Sequence, residues 1–228
     1  MRKFALITLF SIPLFSGFFP STVQTSVADA DQKQLKLKQA LPLNGMSGVV
    51  IHNYGKSAQA ITSYVIQTNQ DGSAKSIKHS VIDHEQLPTI KTPITRGDKV
   101  IGGYMYQNVL LLAPDAETYA KITKQYNKNW IHPDLYALFL SVEGDKVPSR
   151  ENLSEFAKAY QVGLVFIVRN GTAVLLDPVS KKIINEQKLD NLPKTGKFPF
   201  FSRFEKIESG WFDFNEDEND YYKTMEQL

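Results

Sequence analysis

The chain has 228 residues, of which 42% are hydrophobic and 22% are charged, and its formal net charge is +2. This composition is that of a globular protein with room for one large domain or two small ones. Arg2 and Lys3 account for the net charge, so the remaining chain lacks the concentrated basic surface expected of a nucleic-acid-binding protein. Cysteine is absent, which excludes disulfides, a thiol nucleophile and a thiolate metal site.

The N-terminus has the pattern of an export signal. The basic pair Arg2-Lys3 precedes an apolar run, Phe4–Phe19, and two triplets within Ser26–Ala30 have the small-x-small form that signal peptidase accepts. We therefore predict a signal peptide over residues 1–30 and a mature protein outside the cytoplasm, without a membrane span. The alternative is a permanent anchor, but the run is shorter than the roughly 20 apolar residues of a spanning helix and contains Pro13.

Residues 41–106 have the pattern of an antiparallel β structure. Short apolar or alternating runs occur at Gly48–His52 and Ala58–Gln67, and a weaker run follows at Ala74–Ile82. Clusters of Gly, Pro, Asn and Asp separate these runs and predict tight turns. Short strands at such spacing are typical of a small barrel or sandwich.

Residues 107–207 have the pattern of an α/β unit. A short apolar strand at Val109–Leu112 is followed by three predicted helices, which begin near Asp115, Pro133 and Ser149 because these residues suit helix N-termini. Helical spacing predicts the buried side of each helix, which comprises Tyr119, Ile122 and Tyr126 in the first, Leu135, Leu138 and Phe139 in the second, and Leu153, Phe156, Ala157 and Tyr160 in the third.

The strongest local signal is Val165–Leu176, where Asn170-Gly171 separates two apolar runs. Asn-Gly tolerates positive φ at both central positions of a two-residue turn and therefore predicts a β-hairpin. The runs hardly alternate, which indicates strands covered on both faces. A further strand at Ile183-Ile184 would complete a β-meander. The predicted fold is therefore α+β, with a small barrel or sandwich followed by an α/β unit.

No catalytic motif is visible in the chain. His79, Asp83 and His84 are close in sequence, but their spacing matches no metal-ligand pattern. The tripeptide Arg96–Asp98 is one that some adhesins present to integrins, although Gly and Asp there also predict a turn into the next strand. We expect no enzyme, no cofactor and no metal, because hydrolysis or group transfer needs a nucleophile or activated water and a positioned proton carrier.

The C-terminal segment 208–228 interleaves acidic and aromatic residues. This composition predicts a flexible tail. The alternative is a docking segment, in which Trp211 and Phe214 would supply contact area and the carboxylates would steer a partner.

Eight short motifs occur in an order that resembles a known family. They are Ser47–His52, Glu85–Pro88, Arg96–Asp98, Val109–Pro114, His132–Ala137, Val147–Ser149, the helix containing Phe156-Ala157 and the hairpin within Gly163–Asp177. Together they resemble the N-terminal domain of bacterial surface plasminogen-binding proteins of the PgbA and PgbB type, from about Leu41 to about Ile207.

The resemblance implies an envelope or surface protein that captures host plasminogen. Kringle modules of plasminogen take up a lysine whose ammonium lies near a carboxylate, and a C-terminal lysine offers both charges. This chain ends with Glu226-Gln227-Leu228 and departs from that pattern. Lys223 and Glu226, three residues apart on a possible helix, could imitate the charge pair.

Two other functions remain open. One is a periplasmic scaffold or assembly factor that binds no host protein and docks a partner through the acidic aromatic tail. The other is a hydrolase, which would require His79, Asp83 and His84 to converge in a cleft.

Overall fold

Two β-sheets organise the chain. The computed structural model describes residues 17–31, 34–55, 57–77, 92–204 and 220–228. Within these ranges the first sheet is a closed six-stranded antiparallel barrel, the second is a five-stranded sheet, and the helices pack on the second sheet. The predicted α+β fold with a β-rich barrel is confirmed.

The barrel is formed by the first six strands of the chain. They are β1 (Val23–Asp31), β2 (Gln34–Leu37), β3 (Ser47–Tyr54), β4 (Ala58–Gln67), β5 (Ser73–Ile77) and β6 (Lys99–Gly102). Their order is β1-β2-β5-β4-β3-β6, and the pairing of β1 with β6 closes the sheet. Closure leaves no free sheet edge for pairing with another chain.

The barrel includes residues that the sequence pattern assigned to the export signal. β1 begins at Val23, whereas the β-rich domain was predicted to begin at residue 41. Both predicted cleavage positions, after Ala28 and after Ala30, lie within β1, and the predicted boundary at residue 30 cuts a strand that pairs on both sides. The strand was missed because most of its residues are small or polar.

The second sheet contains the predicted hairpin at its centre. Its strands are β7 (Asn108–Leu112), β8 (Asn129–Ile131), β9 (Leu164–Arg169), β10 (Thr172–Asp177) and β11 (Lys182–Lys188), in the order β11-β10-β9-β7-β8. β9, β10 and β11 form the predicted antiparallel meander, and β7 runs parallel to β8 and β9. Gly171 has a φ of 72° in the hairpin turn, whereas Asn170 does not have a positive φ, so the hairpin forms at the predicted place with only one of its two central residues in that conformation.

Helices begin where capping residues predict them. The helices are α1 (Ala116–Gln125), α2 (Pro133–Glu143), α3 (Arg150–Tyr160) and a short C-terminal α4 (Tyr221–Glu226). The Asp115 carboxylate accepts a hydrogen bond from the Thr118 N–H, and Ser149 forms a capping box with Asn152. None of the helices within the described ranges is long and apolar enough to cross a membrane.

The second sheet separates two hydrophobic cores. On one face, alternate residues of β7, β9 and β10 pack with the barrel interior and with Ile122 of α1. On the other face, the remaining residues of the same strands pack with α2, α3 and α4. Burial of both faces explains why the strand sequences are apolar without alternation.

The barrel and the second sheet are joined by the buried carboxylate of Asp177. Its Oδ2 accepts hydrogen bonds from the Ser47 N–H of β3 at 2.8 Å and from the Tyr106 hydroxyl at 2.5 Å. Its Oδ1 accepts from the N–H groups of Val179 and Ser180, both at 2.9 Å. Burial raises the pKa of Asp177 above its usual value, although the donors around it act in the opposite direction.

Replacing this carboxylate should strongly destabilise the fold. Asp177→Ala leaves the Tyr106 hydroxyl buried without its acceptor and leaves the Ser47 N–H with only its longer bond to the Tyr106 oxygen, at 3.3 Å. We therefore expect the free energy of unfolding to fall by about 3 kcal/mol. Urea denaturation measures the change, and Asp190→Ala at an exposed site is the matched control. Equal midpoints for the two variants would show that the junction contributes little.

Candidate protein-binding surfaces

The outer face of α2 exposes a row of apolar side chains. The exposed fractions are 42% for Leu135, 47% for Leu138 and 76% for Val142. These three residues occupy positions i, i+3 and i+7 and therefore lie along one side of the helix, which we call the outer α2 stripe. Tyr160, at the end of α3, is also 42% exposed, and its ring lies 6.5 Å from that of Phe139.

The stripe corrects the sequence-based prediction for this helix. Leu135 and Leu138 were predicted to be buried with Phe139, but the structure buries Tyr136, Ala137 and Leu140. Phe139 is partly buried and packs against the second core. Because α2 is apolar on nearly every side, periodicity cannot indicate which side faces the sheet.

Contacts of Tyr136 determine the orientation of α2. Its ring centroid lies 5.0 Å from that of Phe156 and 5.4 Å from that of Phe200. Its hydroxyl donates to Oδ1 of Asn152 at 2.5 Å, so the polar end of this fully buried side chain is satisfied. Turning Tyr136 toward the sheet leaves Leu138 and Val142 on the solvent side. Val142 was not identified from sequence, although it has the spacing of the other two residues.

An ion pair between Asp134 and Arg203 stabilises the first turn of α2. The Asp134 carboxylate accepts two hydrogen bonds from Arg203. One comes from the backbone N–H at 2.8 Å and the other from the side-chain Nε at 2.6 Å. Burial acts to raise the pKa of Asp134, but the hydrogen bonds from Arg203 outweigh it, and the pKa is lowered. Burial lowers the pKa of His132, which favours the neutral ring whose Nδ1 caps the helix by accepting from the Asp134 N–H. These contacts fix the start of the outer stripe.

The two sides of α2 should respond differently to truncation. Leu140→Ala removes a fully buried side chain and should lower the free energy of unfolding by roughly 2–5 kcal/mol. Leu138→Ala removes a half-exposed side chain, and we expect a change within about 0.5 kcal/mol. Thermal and urea denaturation of the matched pair measure the difference. Comparable losses in both variants would contradict the orientation of α2.

The second candidate surface is α4, where the structure places Lys223 and Glu226. Residues 208–228 were predicted to form a flexible tail, but residues 220–228 are packed, with Met225 and Leu228 buried. The Tyr221 hydroxyl donates to the carbonyls of Leu112 and Val168, at 3.0 and 2.7 Å. Two aromatic residues of this segment, Tyr221 and Tyr222, are therefore buried and anchor the helix. Trp211 and Phe214, the other predicted docking residues, lie outside the described ranges.

The two charged side chains on α4, Lys223 and Glu226, differ in their contacts. The Glu226 Oε1 accepts the Asn170 N–H of the hairpin turn at 3.2 Å, and its Oε2 lies 4.0 Å from Nε of Arg169. Arg169 also donates to the Met225 carbonyl at 3.1 Å. Lys223 is exposed and forms no ion pair with any residue that the structure describes. Among the described residues, the helix thus presents an ammonium without an acidic partner and a carboxylate held one turn away.

Two partly exposed lysines, Lys36 and Lys181, are each paired with a carboxylate. Lys36 Nζ lies 2.9 Å from Oδ2 of Asp71 on the barrel, and Lys181 Nζ lies 3.3 Å from Oε1 of Glu151. The hydrogen bond from Lys36 lowers the pKa of Asp71, so this carboxylate stays ionised. A partner that binds Lys36 or Lys181 must first separate its ammonium from the paired carboxylate. Lys223 has no described ion pair to break.

The remaining sequence candidates form no reactive centre in the described residues. The Asp98 carboxylate of Arg96–Asp98 is buried, and it accepts from the Thr95 N–H at 2.8 Å and lies 2.8 Å from Nδ1 of His52. These contacts agree with the predicted turn. His79, Asp83 and His84 lie outside the described ranges. Within those ranges, no three His, Asp or Glu side chains are grouped so that they could hold a metal ion.

Comparison with known proteins gives one family. The family described as plasminogen-binding protein pgbA N-terminal matches residues 22–228. Two relatives named plasminogen-binding protein PgbA, from Helicobacter pylori strains J99 and 26695, are each 27% identical over 210 residues. This match covers 90% of the chain but 46% of each relative, so the chain spans less than half the length of these relatives. No solved structure matches the chain.

Proposed function

Because the chain belongs to the PgbA N-terminal family, we propose that it is an exported, non-catalytic envelope protein that binds plasminogen at the cell surface. The observation that carries this proposal is the family match over residues 22–228, which includes the whole described fold after residue 21. The match confirms the resemblance seen in the order of short motifs. The relatives are named for plasminogen binding, and their names support a protein partner for this chain.

Lys223 and Glu226 are the proposed contact for plasminogen. A kringle module recognises an ammonium and a carboxylate together, and α4 carries both on its solvent-facing side. The carboxylate is already oriented by Asn170, which lowers the entropy lost when a partner binds. The Lys223 ammonium forms no ion pair with a described residue, so no such pair has to break when plasminogen binds. This arrangement favours Lys223 over Lys36, which Asp71 neutralises.

Surface plasmon resonance with immobilised plasminogen tests the contact. We expect Lys223→Ala to weaken binding at least tenfold, because the loss of a charge-assisted hydrogen bond amounts to roughly 1.5–3 kcal/mol. Glu226→Gln should weaken binding less, since the amide oxygen can still accept the Asn170 N–H. Lys36→Ala is the matched control and should leave the affinity unchanged.

A free lysine analogue separates the kringle mechanism from other modes of binding. Added in excess, it should abolish binding of the wild-type chain to plasminogen. Binding that persists in the analogue would reject the kringle mechanism, and complete absence of binding would reject plasminogen as the partner.

A second candidate function is an envelope scaffold or assembly factor without host-protein binding. The outer α2 stripe favours it, because a row of exposed apolar side chains on a packed helix is typical of a protein–protein contact. Protease treatment of intact cells distinguishes the two functions. A scaffold in the periplasm is protected until the outer membrane is opened, whereas a plasminogen receptor is digested on intact cells.

A further inference from the structure

A polar groove lies on the outer surface of the barrel, and we call it the barrel groove. Its volume is about 440 Å³, comparable to the roughly 300–1,000 Å³ of small-ligand sites. Side chains with ammonium, amide or hydroxyl groups line it together with Gly97, and they are Lys38, Lys99, Gln24, Gln39, Thr25 and Ser26. None of these lining residues carries a carboxylate, an aromatic ring or a large apolar side chain. The groove therefore suits a ligand that is both polar and anionic.

Strand pairing places the two lysines of the groove on either side of Ser26. Ser26 of β1 is the register partner of Lys99 of β6, and its carbonyl accepts the Lys38 N–H at 2.9 Å from the other side. Val27 is fully buried in the barrel core, so its neighbour Ser26 projects outward. Two strand spacings, about 10 Å, separate the backbones that carry the lysines. This separation suits a ligand whose anionic groups lie on successive units of a chain.

Hydrogen bonds hold both walls of the groove against β1, which forms its floor. The Thr25 Oγ1 accepts the Gln39 N–H at 3.0 Å on the side of Lys38. The Val27 carbonyl accepts the Gly97 N–H at 2.9 Å on the opposite side. Because the backbone is fixed before a ligand arrives, less conformational entropy is lost when it binds.

The positive charges of the groove are not neutralised within the part of the chain that the structure describes. Neither Lys38 nor Lys99 forms an ion pair with a described residue. Asp98, the chain neighbour of Lys99, is buried and lies 2.8 Å from Nδ1 of His52. Asp71, in the turn before β5, is paired with a different lysine. Both ammonium groups can therefore pair with a ligand without first separating from a described carboxylate.

We propose that the barrel groove binds a sulfated polysaccharide. Sulfates on separate sugar units pair with Lys38 and Lys99, and ring hydroxyls bond to the amides of Gln24 and Gln39. A single-stranded nucleic acid is less suited, because its bases stack on aromatic rings and the groove has none among its lining residues. A lipid is less suited because its acyl chain needs an apolar surface. The inference rests on the proposed export, since sulfated polysaccharides are found outside the cell.

Surface plasmon resonance of the purified full chain on immobilised heparin tests the proposal. We expect Lys38→Gln combined with Lys99→Gln to weaken binding at least tenfold and to reduce its salt dependence, because two charge-assisted contacts and their counterion release are lost. Lys121→Gln combined with Lys124→Gln is the matched control, since it removes two exposed lysines of α1, and it should bind like the wild type. Equal losses in the two double variants would overturn the inference.

Ser26→Tyr distinguishes a groove from a diffuse attraction between charges. The variant keeps the net charge but places a ring on the floor between the two lysines, and it should weaken heparin binding about as much as the lysine double variant. Thermal denaturation checks that the variant folds, and the lysine variants decide the question alone if it does not. Unchanged heparin binding by folded Ser26→Tyr would overturn the inference.

Other ligands test the chemical class that the groove accepts. Neutral dextran should not bind, and a short DNA duplex or vesicles of phosphatidylglycerol and phosphatidylcholine should bind more weakly than heparin. Binding of either at least as tight as that of heparin would overturn the assignment to a sulfated polysaccharide.

Plasminogen binding separates this inference from the proposed function. The Lys38 and Lys99 double variant should keep the wild-type affinity for plasminogen, and a loss would assign these lysines to plasminogen and overturn the inference. A wild-type chain that binds plasminogen but not heparin would overturn the inference alone. A chain that binds heparin but not plasminogen would support the groove and reject the proposed partner.

Discussion

The buried carboxylate of Asp177 is the contact on which the two halves of this protein depend. It lies at the end of β10 and accepts one hydrogen bond from β3 of the barrel and one from Tyr106, which connects the barrel to β7. A charge in an apolar interior is stable only when donors surround it, and four donors meet this one. This contact therefore adds a directional polar link between the barrel and the sheet, whose apolar residues also share one core.

Both candidate surfaces belong to helices that pack on the second sheet. Its strands are covered on one face by the barrel and α1 and on the other by α2, α3 and α4. Each candidate surface belongs to a helix on that second face, so the proposed binding residues rest on fixed backbone and not on loops. A surface held in this way loses little conformational entropy when a partner binds. The proposed partner rests on family membership, and the proposed contact residues rest on their exposure on these helices.

Both ends of the described chain belong to the folded domain. At the N-terminal end, Phe18 and Phe19 pack into the aromatic cluster around Phe166, and β1 closes the barrel. At the C-terminal end, Tyr221 reaches the carbonyls of β7 and β9 and holds α4 against the sheet. Composition concealed both roles, because an apolar run after basic residues is typical of a signal and an acidic aromatic stretch is typical of a flexible tail.

Local signals in the sequence determined the α+β class, the hairpin at Asn170-Gly171, the helix starts at Asp115 and Ser149, and the family resemblance. Each depends on residues that are neighbours along the chain, such as a turn with positive φ or a cap that accepts an N–H group. Tertiary structure decided that β1 closes the barrel, that α2 turns Tyr136 inward, and that Glu226 is held while Lys223 is left without a described partner. Those outcomes depend on contacts between distant residues, such as Asn170 with Glu226, and local spacing carries no information about them.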